Sequence, residues 1–154
     1  MKHIHYSQLT KIEKELLNSA ELAIDLAYSP YTHSYVGAAA LTFSGKIISA
    51  GCMGNSSSTL NICAERAAII TANSLGHRDI KAIAISAKKP HKNYQKPLTL
   101  CGVCRQALLE VTKITGKPLI IFSLTSDKRK IIKTSIKELF PYPYSRYSLK
   151  SKKH

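Results

Sequence analysis

Four residues of this sequence have types and spacing suited to chemistry: Cys101 and Cys104 as a CxxC pair, Cys63 well upstream, and Glu65 two positions after it. Thiolates are strong zinc ligands, and three protein ligands leave the fourth tetrahedral position open to water. Zinc lowers the pKa of such a water from roughly 15.7 toward about 7, so hydroxide becomes available at neutral pH. Glu65 is placed to reach over a metal held by Cys63 rather than to coordinate it. It could accept a proton from the water and deliver it to a ring nitrogen and a departing amine, as general base and then general acid. Two other uses of the cysteines compete with this one. A zinc site that serves only folding wants four protein ligands, and His33, His77 and His91 have no spacing to the cysteines that supplies a fourth. A CxxC serving thiol redox would leave Cys63 and Glu65 without a role.

The elements that must position these residues are legible in the hydrophobic pattern. Leu9, Ile12, Leu16, Leu17, Ala20, Ala23, Ile24 and Ala27 recur at three- and four-residue steps and predict one amphipathic helix, capped by Thr10 with Glu13 and closed by Pro30. The runs Tyr35 to Phe43 and Lys46 to Ala50, joined through Ser44 and Gly45, read as a β-hairpin. Met53 to Asn61 is dense in Ser, Asn and Gly and reads as a loop leading into Cys63. A helix starting at Cys63 and ending near Gly76, a buried strand over Ile80 to Ser86, a helix from the CxxC to Gly116 and a strand over Leu119 to Leu124 follow. Both cysteine groups thus fall at expected helix N-termini, where free backbone N–H groups and the macrodipole favour thiolate. If the two helices emerge from the same sheet edge, the three sulfurs converge. The alternation of strand and helix argues for a layered α/β domain in which the two later helices cross over between neighbouring strands. Cys52 stands apart and fits a small buried apolar side chain, and Arg105 and Gln106 read as helix-surface residues by spacing alone.

Bulk properties narrow the classes. At 154 residues and 44% hydrophobic composition, the chain can bury roughly two-thirds of its unfolded surface as a single domain. No apolar stretch approaches the roughly 20 residues of a membrane span, so a soluble, cytoplasmic protein with no membrane partner is expected. Four cysteines are too few for a disulfide scaffold. The formal charge of +14 could attract nucleic acid, but the basic residues are spread along the chain, with a basic loop from Lys88 to Pro97 and a last cluster at Lys150, Lys152 and Lys153. No RNA-recognition signature accompanies them, so a nucleic-acid partner is possible but not favoured. The expected organisation is a domain over 1–140 and a basic tail over 141–154, the tail either frayed or packed on a partner subunit.

The motif CAER at Cys63 to Arg66 with CGVCRQ at Cys101 to Gln106 resembles the zinc signature of cytidine deaminases. YSPYTHSYVGAAAL at Tyr28 to Leu41, GC at Gly51 and Cys52, and ELFPYPY near the end are similar to further parts of that family. The resemblance covers nearly the whole chain. It implies a three-layer cytidine deaminase-like fold with a mixed five-stranded sheet flanked by helices, and Zn2+ on Cys63, Cys101 and Cys104 with Glu65 catalytic. It also implies that Arg66 offsets the charge of three thiolates, and that the small three-cysteine branch forms a homotetramer, a dimer being the other oligomer weighed. Asn55 and Ala64 are the candidate substrate contacts. The sequence departs from the family where substrate is held: Ser34 stands where an aromatic is usual, the stretch after Cys52 lacks the usual Asn and Glu ribose contacts, and Leu100 replaces a proline. The implied reaction is hydrolytic deamination of cytidine, deoxycytidine or a related aminopyrimidine nucleoside. The alternatives are a deaminase of RNA or single-stranded DNA and a zinc-bearing fold retained for binding.

Overall fold

The computed structural model describes residues 1–89, 98–125 and 130–146. Most of the expected basic loop, with His91, and the terminal lysine cluster lie outside the described residues. One sheet of six strands organises the chain: β1 (Lys2–Ile4), β2 (Tyr35–Thr42), β3 (Ile47–Gly51), β4 (Ile80–Lys88), β5 (Ile120–Leu124) and β6 (Ile131–Ser135), in the order β1-β6-β5-β4-β2-β3. The pair β4–β5 is parallel and the others are antiparallel. The sheet is therefore mixed and has six strands, not five. The sixth arises because the short N-terminal segment pairs Lys2 with Lys133 and Ile4 with Ile131 along β6.

Two-residue alternation sorts the strands between two cores. Ala38, Ala40, Ile83, Ile85 and Ile121 face one side, while Ala39, Leu41, Ala82, Ala84 and Phe122 face the other. The second face is covered by α1 (Lys11–Leu22), which buries Leu16, Leu17 and Ala20. Each fully buried leucine there contributes roughly 1.5 to 3 kcal/mol of transfer free energy. The Thr10 and Glu13 capping box starts this helix as its sequence predicts. The single long helix expected up to Ala27 instead ends at Leu22 and tightens into a 3-10 turn over Ala23–Leu26. That turn lies against the hairpin: a methyl on Gly37 would come within 2.5 Å of the Ile24 backbone nitrogen, and one on Gly51 equally close to that of Ala27. Only glycine permits so near an approach of two backbones.

The first face carries α2 (Ala64–Ser74), α3 (Gly102–Thr115) and the single turn α4 (Ile136–Leu139). Gly116, at φ 64°, ends α3 in the left-handed conformation expected of a C-terminal glycine. The crossovers differ from the expectation in one respect. While α3 joins the neighbouring strands β4 and β5, α2 passes over β2 to join β3 to β4. Because β3 and β4 both run antiparallel to β2, they run in the same direction, and the chain leaves both at one edge of the sheet.

Candidate active site

At that edge begin the two helices that carry the cysteines. Cys63 is the N-cap of α2 and Cys101 the N-cap of α3, both with extended backbone. Cys104 lies one turn into α3, fully buried, and its backbone N–H donates to the Cys101 sulfur at 3.4 Å. The sulfurs of Cys63 and Cys101 are 4.0 Å apart, and the three sulfurs all lie within 4.8 Å of one another. Zinc–sulfur bonds of about 2.3 Å at tetrahedral angles separate ligand sulfurs by roughly 3.8 Å, so this donor set fits a zinc ion with little movement. Among the described residues no histidine or carboxylate joins the group.

Charge around the cluster is arranged for a thiolate. The thiol of Cys63 is drawn down to about 6, first by a hydrogen bond from Cys104 and, against the cost of burial, by Cys101 and by Arg66. Cys104 moves the opposite way, because its proton is what Cys63 shares. Arg66 also donates through Nη2 to the Asn61 carbonyl at 2.5 Å, while its Nε is buried without a partner. A guanidinium N–H left unpaired beside a thiolate suits a centre with excess negative charge. Glu65 is 6% exposed, and burial, aided by the charge of Cys63, raises its carboxyl above the ordinary range.

Glu65, Cys63 and Cys101 line one cavity of about 260 Å³. Val36, Cys52, Ile62, Ile85 and Leu98 supply apolar wall, and Ser29, Thr32, Ser34 and Asn61 supply hydroxyl and amide groups. No aromatic side chain among the described residues lines it. The backbone before Cys101 is held by Ser123, whose Oγ donates to the Leu98 carbonyl at 2.7 Å, and by Leu100, whose side chain is buried in the core. The chain between β3 and α2 is tied through an isolated bridge of Met53 to both Tyr28 and Ile62.

A zinc-fitting cluster of three sulfurs beside a buried carboxylate has counterparts among known proteins. Residues 10–116 match the family described as "Cytidine and deoxycytidylate deaminase zinc-binding region". The chain belongs to this deaminase family. A cytidine deaminase of Halalkalibacterium halodurans is 36% identical over 126 residues, 82% of this chain and 89% of that protein. A blasticidin-S deaminase of Bacillus cereus is 31% identical over 150 residues, 95% of this chain and 99% of that protein. The crystal structure of a cytidine deaminase from Burkholderia pseudomallei superposes with a TM-score of 0.76 at 30% identity, covering 88% of this chain and all of that one. Membership makes the protein a zinc-dependent hydrolase of the deaminase class. These matches do not favour a polynucleotide deaminase or a binding protein without catalysis.

Within this deaminase the remaining candidates are placed unequally. Asn55 does not line the 260 Å³ cavity: its Oδ1 accepts from the Ser57 backbone N–H at 2.9 Å, and it borders a neighbouring cleft. Ala64 is fully buried in the first turn of α2 and is not among the lining residues. Asn61, passed over in the sequence, lines both the cavity and the cleft, and its Oδ1 accepts from the Asn55 N–H at 2.6 Å. Its signal lay only in its place two residues before Cys63. Cys52 stays outside the sulfur cluster, half-buried, with its thiol donating to the Ser34 carbonyl at 3.7 Å and its pKa raised by burial. Tyr35 lines a different cleft, with Lys88 and Asp25, so the aromatic next to Ser34 does not reach the cavity.

Proposed function

We propose that this deaminase hydrolyses the exocyclic amine of a cytidine-type nucleoside and releases ammonia, with Cys63, Cys101 and Cys104 holding zinc and Glu65 moving the protons. The observation that most supports this reading is that Cys63 and Cys101, two members of the three-sulfur cluster, line one cavity together with the buried carboxylate of Glu65. Zinc bound there supplies a Lewis acid that makes water acidic enough to attack at neutral pH. Glu65 accepts the proton the water loses. It delivers that proton to the pyrimidine ring nitrogen, which draws electrons from the carbon under attack, then takes the second proton from the added hydroxyl as it becomes the carbonyl and passes it to the amine as the carbon–nitrogen bond breaks. The apolar wall of Val36, Ile62, Ile85 and Leu98 excludes bulk water from the ring and strengthens these transfers. Arg66 keeps the sulfur cluster from becoming too negative.

Beyond the ring, the neutral groups of Ser29, Thr32 and Asn61 continue from the cavity into a cleft of about 150 Å³. The Ser29 and Thr32 hydroxyls are 2.9 Å apart at the junction. We assign the sugar to this side, with Asn61 rather than Asn55 as its amide contact. Neutral hydrogen bonds discriminate less than bonds to a carboxylate, roughly 0.5 to 1.5 against 1.5 to 3 kcal/mol each. Cytidine and deoxycytidine are therefore expected to be used with similar efficiency. The same neutral lining favours a second substrate, an aminopyrimidine nucleoside with a larger appendage, consistent with the near full-length match to a blasticidin-S deaminase.

The protein is also proposed to act as a cytoplasmic homo-oligomer, a tetramer or a dimer. No helix among the described residues is long and apolar enough to cross a membrane. Leu22, Leu26, Tyr28, Tyr31, Met53 and Leu60, all more than half exposed in the single chain, supply apolar surface for self-association. The deciding experiment supplies zinc-loaded protein with cytidine, deoxycytidine and blasticidin S in turn and measures ammonia. Turnover of at least one is expected; a protein with bound zinc that releases ammonia from none of them would overturn the reading.

A further inference from the structure

Arg105 follows Cys104 directly in α3 and lies outside the cavity. Its guanidinium nevertheless ties α3 to two other stretches of chain. Nε donates to the Leu100 carbonyl at 2.9 Å, the residue immediately before the ligand Cys101, and Nη1 donates to the Leu139 carbonyl at 2.9 Å, the last residue of α4. The next residue continues the contact, since Gln106 Nε2 donates to the Tyr144 carbonyl at 2.9 Å, and Lys113 Nζ reaches Ser145 Oγ at 3.0 Å two turns later. The chain after α4 is thus laid along α3, and its anchor nearest the metal cluster is Arg105.

We propose that Arg105 is a positioning residue of the metal centre, fixing Cys101 relative to Cys63 by tying the backbone before the ligand to the end of α4. The need for such a tie follows from the chain's path. Residues 98–100 have no helix or strand to hold them, and a leucine occupies the position before Cys101. What holds that stretch is the Ser123 bond to Leu98, the burial of Leu100 and the Arg105 bond to the Leu100 carbonyl. Arg105 lies outside the cavity and its guanidinium donates to two backbone carbonyls, so it acts on the ligands through the chain that carries them. A planar fork is required, because the two carbonyls belong to different elements and a lysine ammonium is a single point donor.

This inference rests on the three cysteines being the zinc ligands, and the experiment separates the two. Zinc affinity is measured by competition with a chromogenic chelator for the wild-type chain, Arg105→Ala, Arg105→Lys and Lys113→Ala, and the cobalt-substituted proteins are compared through their thiolate charge-transfer bands. Arg105→Ala is expected to bind zinc about 10- to 100-fold more weakly, the loss typical when a group supporting a ligand is removed, with an altered cobalt spectrum. Arg105→Lys is expected to fall between it and wild type. Lys113→Ala, which loses the contact to Ser145 and a surface ion pair with Glu110, both away from residues 98–101, is expected to match wild type. Zinc affinity and cobalt spectrum unchanged in Arg105→Ala would overturn the proposal. Should Arg105→Ala not fold, unchanged values in Arg105→Lys would do the same. A wild-type chain that takes up no zinc would instead remove the ligand assignment itself.

Discussion

At the scale of single residues, Glu65 and Asn61 separate chemistry from recognition. Glu65→Gln keeps size and shape while removing the proton-accepting group, so zinc content should persist while kcat falls by about 10² to 10⁴, the usual worth of a positioned general acid–base. Loss of zinc together with turnover would assign Glu65 to the metal instead. Asn61→Ala deletes a neutral amide from the junction of cavity and cleft, so KM for cytidine should rise by about tenfold at most, with kcat little changed. Free cytosine, having no sugar, should show no such rise. The cysteines and Glu65 were legible because thiolate chemistry, helix-start positions and spacing leave few other uses for them. Asn61 was not, since its place depends on how a loop of serines and asparagines folds; the sequence points to Asn55 instead, whose Oδ1 is taken by the Ser57 N–H and which does not line the cavity.

Among elements, α1, α2, α3 and the strands β2 to β5 could be read from periodicity and composition, whereas β1, β6 and the single turn α4 could not. Three residues of β1 carry no pattern of their own, and Ile131–Ser135 becomes a strand by pairing with β5 on one side and β1 on the other. Tertiary pairing, not local preference, decides such segments. The path of α2 across β2 was likewise hidden, because a helix says nothing of which strand it skips. The close contact between the hairpin and the 3-10 turn after α1 gives this scale its test. Gly51→Ala puts a methyl against the backbone of Leu26 and Ala27, which forces the 3-10 turn away from β3. Overpacking of this kind costs about 1 to 3 kcal/mol, read as a lower urea midpoint at unchanged m-value. Gly45→Ala meets no neighbouring atom, and its smaller penalty comes only from φ 89°.

For the whole molecule, the two faces of the sheet respond to different conditions. On the α1 face Glu13 accepts from Lys133 Nζ at 2.8 Å, linking the first helix to β6. Burial pushes the Glu13 carboxyl up, but the bonds from Lys133 and Thr10 outweigh it and leave the pKa below the ordinary 4.5. A depressed carboxylate stabilises the fold above its unfolded pKa, and the gain disappears as pH falls through the folded value. The stability difference between wild type and Glu13→Gln should thus be constant at neutral pH and shrink below about 4.5. A difference that grew on acidification would contradict the pairing. On the opposite face, zinc binds the native arrangement and not the scattered cysteines of an unfolded chain. Chelation should therefore lower Tm, and restored zinc should raise it with concentration as mass action requires.

Cys63 and Cys101 come from opposite ends of the excursion that runs through α2 and β4. No local segment can assemble the three-sulfur cluster, since the CxxC alone supplies two of its members. During refolding, then, a cobalt–thiolate band should rise with the slow assembly of the central strands and not with the early coiling of helices, which makes tight metal capture a clock for the last long-range step.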